Sequence, residues 1–158
     1  MREILFRGKA VSDGRWHYGM FCAEDYSADF PCIMPHYEDE TVEQTDWEVD
    51  PNTVGQFTGL IDKNGMKIFE GDIIRMNQSQ EDLAEVCFGE FKCIDMEMES
   101  ATDTVIGWYY KVIPTDSLSQ VEPFSLPFQM NEHWAKVCAY EVVGNIHDNP
   151  ELLKGGAE

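Results

Sequence analysis

The stretch TVGQFTGLIDKNGMKIFEGDII, residues 53–74, contains the turn and strand signals that decide the fold class. Apolar residues on both sides of Asn64-Gly65 favour two strands, because an Asn-Gly pair readily adopts the positive φ angles of a tight hairpin turn. A second break at Glu70-Gly71-Asp72 precedes another apolar run that begins at Ile73. The sequence therefore predicts three short strands in about two dozen residues.

Turn signals also divide the N-terminal part of the chain. Gly14 lies in the polar tetrapeptide SDGR between two apolar runs, so a first hairpin is predicted there. Strand alternation puts Trp16 and Tyr18 on one face, which we expect to be part of the core. Residues 23–46 are acidic and contain two prolines, a composition typical of a long loop with at most short ordered pieces. A short strand is predicted around residues 44–49.

The C-terminal half is predicted to add further strands. Residues 84–88 would pair with residues 91–99 across a third turn at Gly89-Glu90, and residues 104–113 would form a strand rich in β-branched and aromatic side chains. The last strand is predicted over residues 137–146. Two other features complete this half: a proline-rich surface excursion over residues 114–131 and a single helical turn after Asn149.

These patterns predict an all-β fold of mainly antiparallel short strands and hairpins, with a small barrel-like or sandwich-like core and little helix. A chain of 158 residues, 43% of them hydrophobic, suits one domain over residues 1–154, or two small β lobes that share one core. We expect residues 155–158 to form a disordered tail. Many short strands leave unpaired edges, and oligomerisation is one way to cover them.

Four blocks of sequence, in this order, resemble the YopX family of phage and prophage proteins. The blocks are residues 6–9, 16–19, 53–74 and 140–153. The resemblance implies a mainly β protein encoded by a phage or prophage, and it brings no established activity from which a catalytic residue could be transferred. Most of the shared residues are turn glycines, turn polar residues and strand apolar residues, which are typical of a scaffold.

Charge restricts the partners of this chain. It contains 30 acidic and 11 basic residues, for a formal net charge of −19, and no Lys or Arg occurs between Arg15 and Lys63. A field of this sign repels nucleic-acid backbone and anionic membrane, so direct binding to either is disfavoured. A protein partner, and a basic one above all, fits the charge better.

The segment IDMEME, residues 94–99, alternates strictly between apolar and acidic residues. In a strand, Asp95, Glu97 and Glu99 would share the outer face, about 6.6 Å apart. Such a row is either a solvated face that keeps the protein soluble, or a partner-facing surface that imitates nucleic-acid phosphates. These three acids are the candidate partner-facing residues.

The five cysteines are scattered, and no two of them form a Cys-x-x-Cys pair; they are Cys22, Cys32, Cys87, Cys93 and Cys138. This pattern favours buried, reduced thiols. Cys87 and Cys93 could face each other across the predicted turn at Gly89-Glu90, as a bridge or half a metal site, but no histidine lies near them in sequence. No cofactor or metal site is predicted.

Sequence motifs of enzymes are missing: the chain has no dinucleotide or Walker loop, no nucleophile elbow and no zinc-protease motif. It also has no apolar run long enough for a membrane span or a signal peptide, which favours the cytoplasm of a bacterial host. We therefore expect a non-enzymatic, self-associating protein-interaction module. The alternatives are an acidic nucleic-acid mimic that inhibits a host DNA-binding protein, and an unrecognised hydrolase.

Overall fold

A computed structural model describes residues 3–23, 30–34, 46–95 and 100–154, with backbone alone at residues 93–95 and 100–103. The described residues are mainly antiparallel β-structure, as the sequence predicts. The strands are β1 Phe6–Lys9, β2 Trp16–Cys22, β3 Cys32–Met34, β4 Trp47–Glu48, β5 Gly55–Ile61, β6 Lys67–Phe69, β7 Asp72–Arg75, β8 Leu83–Asp95, β9 Ser100–Val112, β10 Phe128–Gln129 and β11 Glu141–Asn145. Helix α1 spans Glu132–Val137, and 3₁₀ turns span Pro51–Thr53 and Pro150–Lys154.

The chain divides into two compact units, Met1–Gly59 and Leu60–Glu158. In the first unit the strands follow the order β4-β3-β2-β1-β5. The predicted hairpin between β1 and β2 is confirmed, and Gly14 supplies a φ of 68° at its turn. The strand predicted around residues 44–49 is confirmed as the shorter β4, which pairs with β3.

The predicted burial of Tyr18 is wrong, because this side chain is 48% exposed. Trp16 lies on the same face of β2 and is half-buried beneath cations of the neighbouring strand, with the Arg7 guanidinium 4.6 Å and the Lys9 ammonium 5.7 Å from its ring centroid. Such cation–π contacts let an aromatic ring remain on an outer face. The buried residue of β2 is Gly19, on the opposite face.

In the second unit, the predicted turn at Asn64-Gly65 is confirmed. Gly65 has a φ of 83°, and the Asp62 amide donates to the Met66 carbonyl oxygen at 2.8 Å to close the hairpin between β5 and β6. The Asp62 carboxylate then accepts hydrogen bonds from the Asn64 and Met66 amides at 2.8 Å and from the Val142 amide at 3.1 Å. One buried carboxylate therefore fixes the turn and joins it to β11.

The second sheet has the order β10-β9-β8-β7-β11. The hydrophobic core of this unit contains Ile68, Ile74, Met76, Ala84, Val86, Met130, Ala135 and Tyr140, all at most 8% exposed. Of the other family-like residues predicted to supply the core, Phe57, Ile68, Phe69 and Ile73 are buried, whereas Val143 and Ile146 are only half-buried. A Cβ atom at Gly144 would lie 2.5 Å from Asn149 Oδ1, so only glycine lets the backbone approach the Asn149 side chain this closely.

The prediction of a third hairpin with its turn at Gly89-Glu90 is wrong. Strand β8 continues through Gly89, which lies opposite Gly107 in a pairing with β9 that keeps one register from Ala84 to Cys93. Rings contact each other across the two strands on both sides of this position: Phe88 is 4.8 Å from Trp108 and Phe91 is 4.9 Å from Tyr109, between ring centroids. Residues 96–99, which join the two strands, lie outside the described residues.

The prediction of a single last strand over residues 137–146 is also wrong, because the chain forms helix α1 and then the shorter β11. Asn131 begins the helix, and its side-chain oxygen accepts a hydrogen bond from the Trp134 amide at 2.9 Å. The helical turn predicted after Asn149 is confirmed as the 3₁₀ turn Pro150–Lys154.

Glu141 connects β11 to two cations, and this predicts a pH-dependent contribution to stability. Its Oε2 lies 2.9 Å from Lys63 Nζ and 2.7 Å from an Arg75 guanidinium nitrogen. Hydrogen bonds from Lys63 and Arg75 lower the pKa of Glu141 from 4.5 to about 2. A lowered carboxyl pKa stabilises the folded state above the ordinary carboxyl pKa, and this contribution disappears as the pH falls through the folded-state pKa.

We expect Glu141→Gln to be less stable than the wild type at neutral pH, and the difference to shrink as the pH falls from about 5 to about 2. Urea unfolding of both proteins across this range measures it. A difference that does not change with pH would contradict the prediction.

Candidate interaction surface

The three candidate partner-facing acids lie at the far end of the hairpin formed by β8 and β9. Asp95 is the last residue of β8, and its backbone is opposite Ser100. The side chain of Asp95, and all of Glu97 and Glu99, lie outside the described residues. Their role as a partner-facing row stays a prediction.

The described part of the same hairpin extends beyond the rest of its sheet. Strand β7 pairs with β8 only from Leu83 to Glu85, and β10 pairs with β9 only at Tyr109 and Tyr110. Single backbone bonds add Val86 and Trp108, whose carbonyl oxygens accept from Gly71 and Met130. We call residues 88–92 and 104–108 the ribbon; in the described parts of the chain, no third strand pairs with it.

One face of the ribbon carries a row of apolar side chains from the core into solvent. Alternation along the paired strands puts Val86, Phe88, Ile106 and Trp108 on this face, with the charged Glu90 directly opposite Ile106. The exposed fraction rises along the row, from 1% at Val86 to 51% at Phe88 and 76% at Ile106. Trp108, in edge contact with the Phe88 ring, is half-buried. Large apolar groups that stay in water in this arrangement are typical of an interaction surface.

The opposite face of the ribbon is closed by packing. Phe91 is buried and stacks on Tyr109. Burial, with a smaller contribution from Glu85, raises the pKa of the Cys87 thiol to about 12. This thiol therefore stays protonated at neutral pH and is a poor nucleophile.

The predicted opposition of Cys87 and Cys93 is wrong, because both lie on β8, where their partners across the ladder are Tyr109 and Asp103. Six residues along one strand separate them by about 20 Å, too far for a disulfide or a shared metal ion. Within the described ranges, Cys22, Cys32, Cys87 and Cys138 are free thiols.

Among the described residues, no group of three or more His, Cys, Asp or Glu side chains is placed to hold a metal ion. No helix in the described ranges is long and apolar enough to cross a membrane.

The outer edge of the ribbon is uncharged, and this signal was available in the sequence. Residues 104–110, TVIGWYY, contain no acidic or basic residue in a chain whose net charge is −19. Sequence reasoning identified the segment as a strand but did not assign it a surface role. The exposure of Phe88 and Ile106 depends on where the neighbouring strands β7 and β10 end. Local sequence patterns do not predict these end points.

These features define the class of the molecule: an acidic, all-β protein whose described residues form two antiparallel sheets, with a ribbon that exposes a row of apolar side chains. The chain belongs to the YopX family, because the family model described as YopX protein matches residues 6–154. Among solved structures it is similar to protein EF1440 from Enterococcus faecalis, with 22% identity, a TM-score of 0.48, and 97% of this chain and 99% of that chain covered. The comparison with curated proteins gives no significant match.

Proposed function

We propose that this YopX-family protein is a non-enzymatic, self-associating protein-interaction module in which the ribbon binds the ribbon of a second copy. The observation that carries the proposal is the exposed apolar row that ends at Ile106. The setting that we propose, from the resemblance of the chain to phage and prophage proteins, is the cytoplasm of a bacterium that carries the phage or prophage.

The lack of charge along the β9 edge of the ribbon favours a second copy as the occupant. Two chains of net charge −19 repel each other, so they associate most readily through a segment without charge. The β9 edge over residues 104–107 is such a segment, and it is rich in β-branched side chains, which favour strand pairing. An edge of this kind, without Lys or Pro to block it, is a template for another strand.

Geometry is compatible with a symmetric contact. Strand β10 occupies the outer edge of β9 at Tyr109 and Tyr110, and Met130 N–H donates to the Trp108 carbonyl oxygen at 2.9 Å. An added strand would begin where β10 ends, beside Gly107, and continue along the ribbon. Two identical antiparallel edges related by a two-fold axis present the same surface to each other.

The decisive experiment compares Ile106→Lys with the wild type by sedimentation equilibrium over a wide concentration range. We expect concentration-dependent association of the wild type and a monomeric variant, because a lysine puts a charge into the apolar contact and is typical of protected edges. Ile106 is 76% exposed, so its replacement has little effect on the folded monomer.

Ile61→Lys is the matched control, since Ile61 is also an isoleucine in a strand and is 59% exposed. This variant should associate like the wild type. Higher salt should strengthen association, because it screens the repulsion between two acidic chains. A wild type that is monomeric at every concentration, or two variants that associate equally, would exclude the ribbon as a self-association surface.

A further inference from the structure

A second surface of the Leu60–Glu158 unit is a cleft of about 420 Å³ between the sheet and the segment that follows β9. Its apolar lining includes Met76, Tyr110, Leu126 and Phe128. The rings of Tyr110 and Phe128 stack with centroids 5.9 Å apart. A concave site of this size, lined by apolar and aromatic side chains, is typical of ligand pockets.

The polar lining of the cleft is acidic. Glu81, Asp82 and Asp116 contribute carboxylates, and among the described residues no Lys or Arg lines the cleft. Asp116 Oδ1 accepts a hydrogen bond from the Ser119 amide at 2.8 Å, and Asp82 Oδ2 accepts one from Asn77 Nδ2 at 3.2 Å. Hydrogen bonds from Ser119 lower the pKa of Asp116, so this carboxylate stays ionised at neutral pH.

We propose that the cleft binds a lysine or arginine side chain, with an adjacent apolar residue, from a basic segment of a partner protein. Both side chains combine an apolar stem with a cationic head, which matches an apolar lining with carboxylates around it. The stacked aromatic rings add a surface on which a cation is attracted. A nucleic acid or an anionic lipid headgroup has the wrong charge for this cleft.

This site is separate from the ribbon, and its chemistry is different. One face of the ribbon carries the apolar row and its β9 edge is uncharged, as suits a second copy of an acidic chain, whereas the cleft offers three carboxylates. The protein would then bind itself through one surface and a basic partner through the other. Ile106→Lys should leave binding at the cleft unchanged, so the two proposals can fail independently.

The probe for this site is a fluorescent octapeptide with a central Leu-Lys-Leu-Lys segment, and the measurement is fluorescence anisotropy with the full chain. We expect the double variant Glu81→Gln and Asp116→Asn to bind the peptide roughly ten-fold more weakly, because two carboxylates that face the cation are lost. Asparagine keeps the oxygen that accepts from Ser119. The fold should therefore be retained, and circular dichroism checks this.

The charge-matched control is the double variant Glu48→Gln and Glu151→Gln, which removes two exposed carboxylates outside the cleft. It should bind the peptide like the wild type. A second pair tests the apolar part: Phe124→Ser, at a cleft residue that is 61% exposed, should weaken binding, whereas Val137→Ser, at an exposed helix residue outside the cleft, should not.

Three results would overturn the proposal. Unchanged binding by the cleft variants would show that the peptide lies elsewhere. Equal weakening by the cleft and control variants would attribute binding to the overall negative field of the protein. Tighter binding of spermine than of the peptide, lost in the same cleft variants, would assign the cleft to free polyamines instead of a polypeptide.

Discussion

Asp62→Ala is expected to lower the free energy of unfolding by about 3–5 kcal/mol, because three backbone donors lose a charged acceptor at once. The Asp62 side chain accepts hydrogen bonds from the amides of Asn64, Met66 and Val142, and the residue is 5% exposed. Alanine offers no acceptor, and the interior position limits the access of water to these amides. Urea unfolding followed by tryptophan fluorescence measures the loss.

Asp62→Asn separates the two ends of this network. The amide oxygen can still accept from Asn64 and Met66, but the amide nitrogen then faces the Val142 N–H, and two donors oppose each other. We expect a smaller loss, of about 1–3 kcal/mol. Asp13→Ala is the control, because Asp13 also precedes a turn glycine but lies at the surface; its loss should stay below about 1 kcal/mol. Equal losses for Asp13→Ala and Asp62→Ala would contradict the buried network.

Asp62 shows how much of the structure local sequence can predict. Its position before Asn64-Gly65 predicts a turn, and the structure confirms that turn. The hydrogen bond from Val142 joins residues that are 80 positions apart, so no local sequence pattern predicts it. The sequence therefore predicts the hairpin, while the attachment of the hairpin to β11 depends on the tertiary fold.

Gly89 shows where local reasoning fails. A glycine beside a glutamate between two apolar runs resembles a hairpin turn, yet the strand continues through it to pair with β9. The continuous strand is favoured over a turn by Trp108 and Tyr109 of β9, whose rings contact those of Phe88 and Phe91. The start of α1 was missed for another reason: the cap at Asn131 follows a proline-rich segment in which we expected no helix.

The two proposed surfaces also differ in how much of each could be predicted from the sequence. The uncharged segment 104–110 was visible in the sequence, and only its exposure required the structure. The cleft could not be predicted, because Glu81 and Asp116 are 35 residues apart in sequence and line one cleft only in the folded chain. Turn residues and alternation predict where strands and turns occur. Where each strand ends, and which of its faces stays exposed, depends on tertiary packing.

Phe57→Ala is expected to lower the free energy of unfolding by about 3–5 kcal/mol, the usual result of removing a buried phenylalanine ring and leaving a cavity. Phe57 lies in β5 and is 5% exposed, and its amide donates to the Leu5 carbonyl oxygen at 2.8 Å, which fixes its register at the edge of β1. The substitution keeps that backbone bond, so the measured loss reports on the ring. Urea unfolding of the purified variant gives the value.

Two further variants show whether the loss comes from cavity formation in the Met1–Gly59 unit. Phe57→Leu keeps most of the apolar volume and should lose less than about 1.5 kcal/mol. Tyr18→Ala removes a ring that is 48% exposed and should lose less than about 1 kcal/mol. A loss below about 1 kcal/mol for Phe57→Ala itself would mean that β5 presents its other face to the core. Because strand alternation is strict, every inward position assigned to β5 would then have to move by one residue.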